Sequence, residues 1–230
     1  MKNIMNKDDL PTLVVGDLHG QVDLVERAID SGYPVIFLGD YLDSYSLPVS
    51  EQVDTLELIL SHINGEIEDS PVVAAMMGNH EMSYLNPTMR CSGYQPATFF
   101  HVSNMDLSPL SQYVYHEGFL LSHAGVSTLL LKNKEYESVD QYLEAGDFLQ
   151  IGYARGGNSP VGGLFWCDWN HEFYPIDDVP QIVGHTRGRG IRQKGNSYCV
   201  DCLEDSRTEK LCVLIKDGVV VDTYDLFTEL

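Results

Sequence analysis

Gly16-Asp17-Leu18-His19-Gly20 follows the apolar run Thr12 to Val15. The run reads as a buried strand, and the pentapeptide as the turn that leaves it. A carboxylate and an imidazole two residues apart on a glycine-flanked loop form a clamp for a hard to borderline metal ion. Alone, the stretch reads equally as an ordinary polar turn. Four further stretches repeat it in order. Gly39-Asp40-Tyr41-Leu42-Asp43 follows Pro34 to Leu38, and Gly78-Asn79-His80-Glu81 follows Val72 to Met77. Ser122-His123-Ala124-Gly125 follows Phe119 to Leu121, and Gly184-His185-Thr186 follows Gln181 to Val183.

Sites in α/β sheets lie at the carboxyl ends of strands. Five strand ends therefore deliver Asp17, His19, Asp40, Asn79, His80, His123 and His185 to one rim. Unrelated turns would not all place Asp, Asn or His directly after the strand, so the set reads as a metal site.

The chain has 230 residues, with 34 acidic against 14 basic side chains and a formal charge of -20. One domain of this length buries roughly 70% of its unfolded surface. The charge opposes non-specific binding to nucleic acid or an anionic membrane. A phosphate-bearing substrate needs local positive charge here, which bound cations would supply. No apolar stretch approaches the ~20 residues of a membrane span. Met1 to Leu10 is charged and polar, with no signal-peptide pattern. Five scattered cysteines then point to a cytosolic, cytoplasmic protein with reduced thiols. Cys199-x-x-Cys202 is either half of a zinc site, a redox pair, or two ordinary buried thiols.

In chain order, Met1 to Pro11 reads as an arm. Val22 to Ser31 and Ser50 to His62 read as helices, the second with Ser50 as N-cap. Thr12 to Leu38 is then a strand-helix-strand unit with a right-handed crossover. Residues 82–110 break the rhythm and read as an irregular insertion or cap beside the site, or else as a packed loop. Tyr113 to His116 and Phe119 to His123 pair around Glu117-Gly118. Ser127 to Lys132 is a short helix and Ser138 to Tyr153 a longer one. The aromatic run Leu164 to Trp169 either walls a pocket or fills the core. Leu211 to Ile215, Asp217-Gly218 and Val219 to Asp222 form a hairpin. The expectation is one domain over 1–230, built as a sandwich of two mixed β-sheets flanked by helices.

The five ordered blocks, Gly16 to Thr186, resemble the calcineurin-like metallophosphoesterase superfamily, and within it the phosphoprotein phosphatases of bacteria and bacteriophages. The resemblance implies the same four-layer α/β (α+β) sandwich. It also implies two divalent ions, Mn, Fe or Zn, with Asp17, His19 and Asp40 on one, and Asp40, Asn79, His123 and His185 on the other. Asp40 would bridge them. A water acidified by both ions would attack phosphorus in line. His80 would protonate the leaving oxygen and Asp43 would orient His80; the plain alternatives are a structural donor and a turn residue. The implied activity is hydrolysis of phosphate monoesters, with a small molecule, a nucleotide or a phosphoprotein as substrate. Diadenosine tetraphosphate hydrolases, an alternative, usually carry Asp where Glu81 stands. A scaffold that has lost its metals is the non-enzyme alternative, and here every ligand position is filled.

This chain departs from the resemblance where the protein phosphatases clamp phosphate. Ser44 stands in place of one arginine, and Asp168 and Trp169 in place of another. Four cations, Arg187, Arg189, Arg192 and Lys194, follow His185 closely. They form either a solvated loop or a replacement clamp, with Arg155 as the competitor.

Overall fold

The computed structural model describes residues 10–86, 88–202 and 209–227. The arm expected at Met1 to Pro11 lies, through residue 9, outside them, as does Pro87 of the expected cap. Three short strands run parallel: β1 (Thr12–Val15), β2 (Val35–Phe37) and β3 (Val72–Ala75), joined by the helices α1 (Val22–Asp30) and α2 (Val49–Ile63). Leu13, Val14 and Val15 sit opposite Val35, Ile36 and Phe37. The other edge of β1 pairs antiparallel with β9 (Leu211–Lys216), and β9 turns into β10 (Val219–Asp225). Asp217 and Gly218 both have positive φ, 51° and 77°, which a tight two-residue hairpin turn requires. The sheet order is β10-β9-β1-β2-β3.

The second sheet has the order β4-β5-β6-β8-β7. Its predicted hairpin joins β4 (Tyr113–His116) to β5 (Phe119–Ser122). The strands β5, β6 (Gln181–Val183) and β8 (Ser197–Cys199) are parallel, and β7 (Arg192–Lys194) pairs antiparallel with β8. Both sheets are mixed, as expected.

Side chains alternate across a strand, and that alternation assembles the layers. Val14, Ile36 and Leu38 of the first sheet meet Phe119, Leu121 and Ile182 of the second in one buried cluster. Their neighbours Leu13, Val15, Val35, Phe37, Leu120 and Val183 face the other way, into the core that also takes the helices. Two sheets face to face, with helices outside, form four layers. Strands covered on both faces read as unbroken apolar runs, which is why the sequence marks them clearly.

Several helix limits differ from expectation. The N-cap of α2 is Pro48, one residue before the helix starts, so Ser50 lies in its first turn. The helix expected over Ser138 to Tyr153 is α6 (Val139–Ala145), ended by Gly146 at φ 66°, with a separate 3₁₀ turn at Tyr153–Arg155. A left-handed glycine after the last turn is a strong stop. The preceding helix, α5 (Thr128–Lys134), is capped by the Ser127 side chain and is longer than expected at its C-terminal end. Residues 82–110 are less irregular than expected: α3 (Asn79–Leu85) runs into them, and α4 (Pro96–Val102) starts on a proline that cannot donate an N–H. All five cysteines are free and buried, and Cys199 and Cys202 donate to different carbonyls, Gly184 and Leu211.

Candidate metal centre

The second and third loops are stapled together by Glu81. Its fully buried carboxylate accepts the backbone N–H groups of Gly78 (2.9 Å), Asp40 (2.9 Å), Tyr41 (2.8 Å) and Leu42 (3.2 Å). Burial, then Asp40, pushes this carboxyl up to about 7, against the pull of His80 and the N–H donors. The loops approach so closely that glycine is required at both contacts. A Cβ on Gly78 would stand 2.1 Å from Asp40 Oδ1, and one on Gly39 (φ 104°) would stand 2.6 Å from Gly78 N. Glu81 therefore fixes loop spacing and does not line the cavity, so Glu in place of Asp here says nothing about the substrate.

The six residues expected as ligands converge. Asn79 Oδ1 lies 2.8 Å from both His123 Nε2 and His185 Nδ1, which are 3.2 Å apart. Asp40 Oδ2 lies 3.3 Å from His123 Nε2. Asp17 Oδ1 accepts the His185 N–H at 2.9 Å, and Asp17 Oδ2 is 4.0 Å from His19 Nε2. Two triads emerge, His19/Asp40/His80 and Asp40/His123/His185, each with its donor atoms within 4.8 Å of one another. Asp40 belongs to both. His80 joins the first triad, beyond its expected role.

Orientation comes from the backbone. Carbonyl oxygens only accept, so His123 Nδ1 donates to Leu38 O (2.9 Å) and His19 Nδ1 donates to Leu42 O (2.8 Å). Each Nε2 is thereby turned toward the cluster, the usual arrangement behind a metal-binding imidazole. The Asn79 amide is aimed likewise: its Nδ2 donates to Cys91 Sγ at 3.0 Å, which turns Oδ1 inward.

The electrostatics fit a cation site. Burial, then Asp201 and Asp40, raises Asp17 to about 8. Burial depresses His123, but Asp40 outweighs it and the ring reaches about 9. His185 is held well below the usual range by burial and His123, and its buried Nε2 has no partner among the described residues. Carboxylates this buried and this close demand positive charge. A donor set of carboxylate, imidazole and amide oxygen without thiolate suits Mn, Fe or Zn.

His80 Nδ1 lies 2.8 Å from Asp43 Oδ2, and the Tyr84 hydroxyl donates to Asp43 Oδ1. Burial would depress His80, but Asp40 and then Asp43 outweigh it and raise the ring to about 9. His80 and the Asp17, His19, Asp40, Asn79 and His185 side chains line a cavity of about 810 Å³.

The basic residues divide. Arg155 lines the cavity, with Nε 3.0 Å from Asp168 Oδ2 and Nη2 donating to Thr186 Oγ1 at 2.8 Å. Arg187 also lines it, whereas Arg189 is exposed and does not. Arg192 and Lys194 depart from expectation: they sit on the β7 edge, not on a loop over the site. Arg192 donates to the carbonyls of Thr186 and Asp201 (3.1 Å to the latter), and Lys194 to those of Trp169 and Phe173 (3.0 Å to the latter). The aromatic run is split: Trp166 lines the cavity, while Phe165 and Trp169 are core, the latter stacked on Phe173 at 4.5 Å. Three residues that the sequence did not flag also belong here. Arg90 and Asp201 line the cavity, and the fully buried Lys210 donates to Asp17 O at 2.7 Å.

The family profile described as calcineurin-like phosphoesterase matches residues 10–214, and the chain belongs to that family. It is thus a metal-dependent phosphoric ester hydrolase with the family's four-layer fold. Among solved structures, it is similar to a point mutant of a cold-active protein tyrosine phosphatase, with a TM-score of 0.58 at 16% identity, over 94% of this chain and 80% of that one. The cold-active protein-tyrosine phosphatase of a psychrophilic Shewanella species gives 0.54 at 17% identity, over 94% and 80%. At such identities the likeness is one of fold. No curated protein sequence matches.

Proposed function

We propose that this chain is a dinuclear phosphomonoesterase acting on phosphorylated protein. The observation that carries the dinuclear reading is Asp40, a single carboxylate common to two converging donor sets. Asp17, His19 and Asp40 would hold one ion, and Asp40, Asn79, His123 and His185 the other. When bound, such ions supply Lewis acidity, lower the pKa of water and neutralise phosphoryl charge.

The chain's own groups complete the chemistry. His80 is placed to give a proton to the leaving oxygen, since Asp43 engages its Nδ1 and leaves Nε2 for the substrate. Asp40 and then Asp43 keep the ring charged, Asp43 orients it, and Tyr84 holds Asp43 in turn. Arg155, steadied by Asp168 and Thr186, and Arg187 would bind phosphoryl oxygens from the opposite bank of loops. The phosphoprotein assignment takes support from the names of the two similar structures, both protein tyrosine phosphatases.

The test is turnover. The protein should hydrolyse an aryl phosphate with added Mn²⁺, lose activity on chelation and regain it on metal return. In a screen, phosphopeptides should exceed nucleotides and dinucleoside polyphosphates in kcat/KM. Preference for a dinucleoside polyphosphate would replace the substrate assignment, and full turnover after metal removal would end the mechanism.

A further inference from the structure

Arg90 is unlike the other two cavity arginines. Arg155 is committed to Asp168 and Thr186, and Arg187 lies two residues beyond the expected ligand His185. Arg90 is exposed, lines the cavity, and pairs with no carboxylate among the described residues, in a chain of formal charge -20. Its guanidinium carbon lies 4.8 Å over the ring of Tyr94. Tyr94 stacks on Tyr84 at 4.7 Å, and Tyr84 donates to the same Asp43 that holds His80. One aromatic stack therefore carries both the guanidinium and the orientation of the proton donor.

The connection bearing Arg90 is pinned at several further points. Cys91 Sγ donates to Asn79 O at 3.0 Å. Gln95 N donates to the Tyr84 hydroxyl at 3.1 Å, and Gln95 Nε2 to Ser44 O at 3.2 Å. A Cβ on Gly93 would stand 3.2 Å from Asp43 O, so the chain lies flat against Asp43 and Ser44. Arg90 is thus anchored on the His80 side of the cavity.

We propose that Arg90 is a substrate-binding residue, its guanidinium taking phosphoryl oxygens on the His80 side of the cavity. The assignment rests on the phosphomonoesterase reading above. Asp17, Asp40, Asp43 and Asp201 line the same space and repel a phosphate dianion. A guanidinium offers a planar fork that matches two phosphoryl oxygens. Stacking on Tyr94 preorients that fork without neutralising it. Among the described residues, Arg90 has no ion pair to break when substrate arrives.

The experiment compares wild type, Arg90→Ala and Arg90→Lys. It measures metal content, kcat/KM for phenyl phosphate and for an ester with an anionic leaving group, and the affinity for inorganic phosphate by calorimetry. Arg90→Ala should lower kcat/KM at least tenfold on both esters and weaken phosphate binding to a similar degree, with metal content unchanged. Arg90→Lys should fall between, because a point charge keeps the attraction and loses the fork. Phosphate affinity within twofold of wild type in Arg90→Ala overturns the assignment. So does a loss confined to the anionic leaving group, or one that follows loss of metal. If wild type cleaves no phosphate ester, the phosphomonoesterase reading fails, and phosphate affinity alone still decides for or against Arg90.

Discussion

At the residue scale, His80 stands between two carboxylates: Nδ1 is 2.8 Å from Asp43, and Nε2 is 3.8 Å from Asp40 Oδ2. A ring held charged by both can give a proton, which contributes ~10²–10⁴ in rate. His80→Asn should therefore lower kcat about 10²-fold or more for alkyl phosphates and far less for p-nitrophenyl phosphate, whose leaving group needs no proton. Equal losses across leaving groups of widely spaced pKa would remove His80 from that role. Asp43→Asn should change rates in the same pattern and leave metal content intact. Asp40→Ala should instead strip or scramble both metal positions, because that carboxylate belongs to both triads.

At the element scale, the Gly39 and Gly78 turns are the joint on which the site depends. Glu81→Ala would leave four backbone N–H groups without their acceptor. A hydrogen bond to a charged group contributes ~1.5–3 kcal/mol, so the substitution should destabilise the fold by at least ~3 kcal/mol. Scaled to a chain of this size, that lowers Tm by roughly 6–12 °C in thermal unfolding; a shift under about 2 °C would refute the staple. The candidate metal-site residues are legible in the sequence because each follows an apolar strand run that breaks into a small residue, glycine or serine, and a polar side chain. The β4–β5 and β9–β10 hairpins are legible through their turn residues. The helix starting after Ser138 is shorter than its pattern suggests because Gly146, a left-handed stop, sits inside an otherwise helical stretch. Arg192 and Lys194 escape a reading by spacing because strand pairing and two sets of carbonyls engage them. Arg90, Asp201 and Lys210 carry no local signal at all, since only tertiary packing brings them to the site.

At the scale of the whole molecule, the chain folds two sheets around a rim of buried acids, and the balance of charge there depends on protons or cations. In metal-free protein, His80 and His123 have folded pKa values of about 9, above the ordinary 6.5. Their contribution is complete below about 6.5 and is lost as pH rises through about 9. Asp17, raised to about 8 by burial and its acidic neighbours, acts in the same direction: the folded state holds a proton that the unfolded state has released. Metal-free protein should therefore lose stability from pH 7 to 9, seen as a falling Tm in chelator, and added metal should restore more at pH 9 than at pH 7. A metal-free Tm that rises across this range would contradict the assignment of these groups. The decisive measurement is metal stoichiometry followed together with turnover as metal is returned to chelated protein. Two ions per chain should bind, and activity should appear only as the second position fills. Full activity at one ion per chain, or turnover without metal, would contradict a centre built around a shared Asp40.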